Sequence, residues 1–152
     1  MQRTPHGNID QSSIGRKNDY LYRVSIKALI RNENGEVLVV KEAGRTWWDL
    51  PGGGMDHEES IKGALARELK EEVNLESDFT YRVISVDEPK LLEHANVWQL
   101  RLIFLVEPVQ MQISSGEDND ELCFIDPNSL KDSANKVEQS VYIYSQLAGQ
   151  RD

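Results

Sequence analysis

Residues 51–75 read PGGGMDHEESIKGALARELKEEVNL, a glycine-rich turn followed by a run that closes in a knot of carboxylates. On a helix of roughly 100° per residue, Glu68, Glu71 and Glu72 fall within about 100° of one another and project as one cluster. Ile61 and Leu65 lie in or beside the same arc, where an amphipathic helix would continue its apolar stripe. Carboxylates on an inward face are costly unless a cation neutralises them. A hard divalent ion such as Mg²⁺, which takes oxygen ligands, is the natural compensator. Taken alone, Glu-Leu-Lys-Glu-Glu is an ordinary solvated helix face, with Arg67 and Glu71 forming an i,i+4 pair. The coincidence of Pro51-Gly52-Gly53-Gly54, the distant Glu59 and the Arg67-Glu68 pair sets this segment apart.

The spacing resembles the Nudix hydrolase signature, G-x5-E-x7-R-E-U-x-E-E-x-G-U, where U is a bulky apolar residue. Gly53, Glu59, Arg67, Glu68, Leu69, Glu71, Glu72 and Leu75 stand at the matching offsets. One position departs: Asn74 replaces the second glycine. Asn is the non-glycine residue that best tolerates the left-handed backbone just past a helix end. The resemblance implies an α/β fold, a Nudix-like α/β/α sandwich with a mixed β-sheet between helices. It also implies hydrolysis, with divalent metal, of a nucleoside diphosphate linked to another group. Carried over by position, Glu68, Glu71 and Glu72 become metal ligands, with Mg²⁺ or Mn²⁺ as cofactor, and the main-chain carbonyl of Gly52 joins them. The catalytic residues are Glu68, Glu72 and Arg67, the last orienting a neighbouring carboxylate through its fork; which glutamate handles the water varies in the family. Glu59, near the helix start, is structural or supports the metal ligands. A further metal ligand is expected from the acidic loop, where Glu117 fits best by spacing and Asp120 and Glu121 are rivals.

Outward from this segment, the 152 residues suit one domain, with residues 1–19 as a flexible N-terminal arm and 20–152 as the folded unit. Tyr20 to Ile30 reads as a strand and Asn32-Glu33-Asn34-Gly35 as a hairpin turn, returning through Val37 to Val40. The helix is expected from about Glu58–Ser60 to Asn74. Phe79–Val86 and Val97–Val106 read as strands, the second central, joined by a polar connection from Asp87 to Asn96. A short strand, Leu122–Ile125, a capped turn at Asp126–Leu130 and a terminal helix, Val137–Ala148, complete the chain.

Composition bounds the function. The net charge is −9, and between Leu102 and Leu130 six acidic residues occur with no Lys or Arg. That balance disfavours a grip on nucleic acid and suits a small nucleotide reached through metal and a few local cations. No apolar run approaches the roughly 20 residues of a membrane span, and the N-terminus lacks a signal-peptide core, so cytoplasmic residence is the default. The single Cys123, between Leu122 and Phe124, reads as a structural thiol. Trp47 and Trp48, just before the glycine turn, are the candidates for substrate contact; packing on the sheet competes with base stacking at Trp48 and is favoured there, and Trp47, on the opposite strand face, is the better exposed. His57 and His94 have no metal-ligand spacing. A homodimer is compatible with the sequence.

For the substrate, Pro89, fifteen residues after Asn74, resembles a marker of ADP-ribose hydrolases, while Leu91, Leu92 and Glu93 stand where diadenosine polyphosphate hydrolases carry tyrosine. Nucleoside triphosphates and ADP-ribose-like molecules both remain. The alternative from another class is a Nudix-fold sensor that binds a nucleotide without cleaving it, which loss of the carboxylates would favour.

Overall fold

The computed structural model describes residues 8–10, 18–117 and 119–149. Among these residues nine strands and two α-helices follow in chain order: β1 (Asn8–Asp10), β2 (Asn18–Tyr20), β3 (Tyr22–Leu29), β4 (Val37–Glu42), β5 (Gly52–Gly54), α1 (Ile61–Val73), β6 (Phe79–Val86), β7 (Lys90–Leu92), β8 (Val97–Pro108), β9 (Asn119–Ile125) and α2 (Lys136–Leu147), with a 3-10 turn at Pro127–Leu130. The main sheet runs β5-β3-β8-β6, with β7 also on β8. It is mixed: β3 and β8 are parallel and the other pairs antiparallel. A second sheet pairs β4 with β9. Short antiparallel strands β1 and β2 pair within the stretch read as an arm; the rest of that stretch lies outside the described residues.

Alternation along the strands builds two cores. Ile26, Ala28, Phe104 and Val106 join Leu38 and Val40 against Ala64, Leu65, Leu69 and Val73 of α1. Leu29, Ile103, Leu105, Val37 and Val39 face the other way, onto Val141 and Tyr144 of α2. Because successive strand residues point to opposite faces, each strand feeds both cores, and the sheets lie between the helices. The expected α/β/α architecture is the one observed.

The hairpin reading needs correction. The turn exists, with Gly35 N–H donating to Asn32 C=O at 3.1 Å. Gly35 takes a left-handed φ of 78°, whereas Asn34 is not among the positive-φ residues, so this is a three-residue loop rather than a two-residue Asn-Gly turn. The flanking strands touch only beside the turn, through the Arg31–Val37 bridge and the Leu38 N–H to Ile30 C=O bond. Beyond it β3 enters the main sheet and β4 leaves to pair with β9. Residues 25–29 of β3 and 37–40 of β4 are buried on both faces. The polar connection before β8 likewise contains β7, which folds back onto Val97–Gln99.

Candidate active site

Helix α1 starts where Ser60 caps it, its hydroxyl accepting from Gly63 N–H at 3.0 Å. It stops at Asn74, which adopts φ 56° and ψ 34°, the left-handed conformation for which Asn substitutes best for glycine. Between them two i,i+4 rows are buried together. Leu65, Leu69 and Val73 form the apolar row; Ala64, Glu68 and Glu72 form the second, the two carboxylate residues being 8% and 6% exposed. Glu71 sits further out, half-buried.

The acidic row lies against the glycine strand β5. Glu72 Oε2 accepts from Gly52 N–H at 2.9 Å. A Cβ on Gly53 would lie 2.6 Å from Glu68 Oε1, so any side chain there would push that carboxylate out of its place. Gly52 itself has a φ of 141°, and a Cβ there would strike the Ile26 carbonyl oxygen at 2.0 Å as β5 pairs with β3. The glycines are thus explained by close approach on both sides.

Arg67 organises this edge. Its Nε and Nη2 donate to both oxygens of Glu59 at 2.7 and 2.8 Å, Nη1 donates to Glu68 Oε1 at 3.0 Å, and Nη2 reaches the Gly54 carbonyl at 3.1 Å. Glu71 lies 3.5 Å from Nη1. One guanidinium therefore ties the residue before the helix, the glycine strand and two carboxylates together. The fork holds Glu59 at a pKa of about 2, chiefly through its hydrogen bonds.

Burial has the opposite effect on the acidic row. Desolvation raises Glu68, against the pull of Arg67, and pushes Glu72 up to about 8 despite Lys27 and the Gly52 N–H. Two adjacent buried carboxylates that resist ionisation are a donor set that a divalent cation would stabilise, so the residues fit a hard metal. As the side chains stand, no three acidic, His or Cys residues among those described converge into a ligand shell. The physical reason is visible: Arg67 holds Glu68 and Glu71. Lys27 Nζ, meanwhile, donates to the Gly52 carbonyl at 3.2 Å, the atom assigned to metal from the sequence.

Beside β5 opens a cleft of about 580 Å³, walled by Gly52–Gly54, β3, β8, the β6–β7 connection and the start of α2. Six cationic residues line it, Arg23, Lys27, Arg45, Lys90, Arg101 and Lys136, against four acidic ones, Glu42, Asp49, Asp87 and Glu88, so in a chain of net charge −9 the lining carries a small positive excess. Lys27 is held by the Leu50 and Gly52 carbonyls and lies 3.4 Å from Asp49. Burial alone would raise Asp49, but Lys27 and Arg101 outweigh it and keep its pKa below the usual carboxylate value. None of these cations was singled out in the sequence. The available signal was the period-2 set Arg23, Ser25 and Lys27, which shares one face of β3 with Gln99 and Arg101 of the adjoining β8.

The two tryptophans separate. Trp47 lines the cleft, with the Arg45 guanidinium 5.6 Å from its ring centroid. Trp48 is not part of the wall and is corrected as a substrate-contact candidate: it packs on the second core, with Lys41 Nζ 4.4 Å from its ring. Alternation along an extended segment sends the two rings to opposite sides. His94 also lines the cleft, while His57 is exposed. Of the acidic-loop candidates, Glu117 is exposed, and Glu121 pairs with Lys41 across the β4–β9 ladder at 3.9 Å. The side chain of Asp120 lies outside the described residues. Cys123 is half-buried against the second core, and burial raises its thiol pKa, as for a structural residue.

A mixed sheet between two helices is a fold found among solved structures. The MutT protein from Methanosarcina mazei Go1 superimposes with a TM-score of 0.69, covering 86% of this chain and 96% of that one at 21% identity. The family model described as the NUDIX domain matches residues 21–147, and the chain belongs to that family. It is similar to Nudix hydrolase 5 of Arabidopsis thaliana, 36% identical over 91 residues, covering 56% of this chain and 28% of the relative. It is also similar to the RNA pyrophosphohydrolase of Marinomonas sp. (strain MWYL1), 40% identical over 55 residues, covering 36% of this chain and 34% of the relative. The matches thus span about a third or less of those relatives' lengths.

Proposed function

We propose that this chain is a metal-dependent hydrolase that cleaves a pyrophosphate linkage in a nucleoside diphosphate joined to another group, either a nucleoside triphosphate or an ADP-ribose-like molecule. The observation that carries the reading is the buried Glu68–Glu72 pair seated on a glycine strand that also lines the cationic cleft. Glu68, Glu71 and Glu72 would hold Mg²⁺ or Mn²⁺, with the Gly52 carbonyl and Glu117 completing the set. When bound, the metal neutralises charge developing on phosphoryl oxygens. The cleft cations bind the phosphates, Trp47 offers a face for the base, and Arg67 fixes Glu68. Water attacks phosphorus as the anhydride P–O bond breaks, and a carboxylate of the row accepts the water's proton.

The acidic surface outside the cleft favours a small nucleotide over a polynucleotide. Among the described residues no helix is long and apolar enough to cross a membrane, in keeping with action on a soluble nucleotide in the cytoplasm. The test is product release with Mg²⁺ or Mn²⁺ from ADP-ribose, other nucleoside diphosphate sugars, dinucleoside polyphosphates, ordinary and oxidised nucleoside triphosphates, and 5′-triphosphorylated RNA. One small nucleotide cleaved well above the rest, and only with metal, is expected. Preference for the RNA would overturn the substrate class. Metal and nucleotide binding without turnover of any member would favour the sensor.

A further inference from the structure

Asn74 is the position at which the chain departs from the glycine of the signature, and capping α1 uses only its backbone. Its side chain is engaged too: Nδ2 donates to Ser114 Oγ at 3.0 Å. That bond is one of three fastening the segment Ser114–Gly116 to the end of α1. Ser114 N–H donates to the Val73 carbonyl at 3.0 Å, and Gly116 N–H to the Glu72 carbonyl at 3.1 Å. Both acceptors are among the carbonyls a helix leaves without an intrahelical partner. The approach is close because residue 116 has no side chain: a Cβ there would lie 2.0 Å from the Glu71 carbonyl oxygen. Ile113 packs on the first core and anchors the segment from its other end. Glu117 follows directly, one Cα step of about 3.8 Å from this contact with the Glu71–Glu72 peptide. A glycine at 74 would cap the helix equally well but could not hold Ser114.

We infer that Asn74 is a positioning residue: through Ser114 it keeps the Ser114–Gly116 bracket on α1 and thereby sets the Glu117 carboxylate beside the Glu71–Glu72 end of the acidic row. The inference rests on the metal-site reading above and adds to it the device that delivers the loop ligand. A helix cap with no further task would affect stability alone. A bracket acts on metal binding, and only while Glu117 is there to be positioned.

The experiment is Mn²⁺ binding to the full chain, followed by the electron paramagnetic resonance of the free ion, for N74G, E117Q, the N74G/E117Q double variant, G116A and E72Q, each checked for folding by circular dichroism. E117Q weakens binding about ten-fold and N74G about three-fold, the size of one hydrogen bond at an exposed site. In the E117Q background N74G has no further effect. G116A, which forces the bracket away from the Glu71 carbonyl, matches E117Q. The proposal is overturned if N74G binds Mn²⁺ as the unmodified chain does, or weakens it by the same factor with and without Glu117. If E72Q weakens binding but E117Q does not, the bracket fails and the metal site stands. If E72Q also binds normally, the underlying reading fails.

Discussion

Replacing Glu72 by Gln should raise the melting temperature of the metal-free protein. Glu72 is 6% exposed, and burial lifts its pKa from 4.5 to about 8. At neutral pH the unfolded chain carries this group ionised, whereas the folded chain binds a proton there. Between pH 4.5 and 8 the native state therefore holds more protons than the unfolded state, and stability falls as pH rises through that window. At pH 7.5 the penalty is roughly 2–4 kcal/mol. Gln keeps the volume, and its Oε1 can still accept the Gly52 N–H, so the variant escapes the penalty without losing the contact. For a domain of this size that corresponds to a gain of roughly 5–10 °C. The assay is thermal unfolding by circular dichroism in EDTA and in Mg²⁺, from about pH 5 to pH 8. The unmodified chain should lose stability with rising pH in EDTA and recover it with Mg²⁺, most strongly at the alkaline end. E72Q, left with the burial-raised Glu68 alone in the row, should fall less steeply with pH and respond far less to Mg²⁺. A lower melting temperature for E72Q in EDTA, or equal stabilisation of both proteins by Mg²⁺, would refute the reasoning.

Arg67→Lys keeps the charge but loses the fork that spans Glu59, Glu68 and Gly54, so kcat should fall by about ten-fold or more with little change in KM, measured by steady-state kinetics on the preferred nucleotide. Trp47→Ala should raise KM several-fold and leave the melting temperature nearly unchanged. Trp48→Ala should do the reverse, losing roughly 2–4 kcal/mol of packing. Asp49 has a folded pKa below its unfolded value, so its contribution to stability is present above about pH 4 and is lost as pH falls through the folded value. The stability gap between the unmodified chain and Asp49→Asn, followed by denaturant titration, should therefore be widest near neutrality and shrink in acid.

The acidic helix was legible because its code is local. Ser60, the carboxylate spacing and Asn74 each act within a few residues, and α1 begins and ends where those signals stand. The central place of β8 was legible for a similar reason, a long apolar run having few alternatives to a buried strand, whereas β6, mostly exposed, was legible from its β-branched and aromatic residues. The divergence of β3 and β4 was not, since Asn-Gly specifies a turn and says nothing about which sheet each strand joins six residues later. The cationic cleft was missed because its members come from five separate segments, none of them basic as a run. Only the topology brings Arg23 of β3 beside Gln99 of β8, and Lys136 of α2 to the same mouth. The occupied state of the Gly52 carbonyl was equally hidden, because it depends on Lys27, twenty-five residues earlier in the chain.

The central claim is that the buried pair on α1 carries metal-dependent cleavage of a pyrophosphate bond. The most direct measurement is kcat/KM for the preferred nucleotide with saturating Mg²⁺, for the unmodified chain and for Glu68→Gln, both verified as folded. The account predicts a loss of about a thousand-fold or more, with no activity in EDTA for either protein. Activity within a few-fold of the unmodified chain for Glu68→Gln, or turnover that persists without metal, would contradict it.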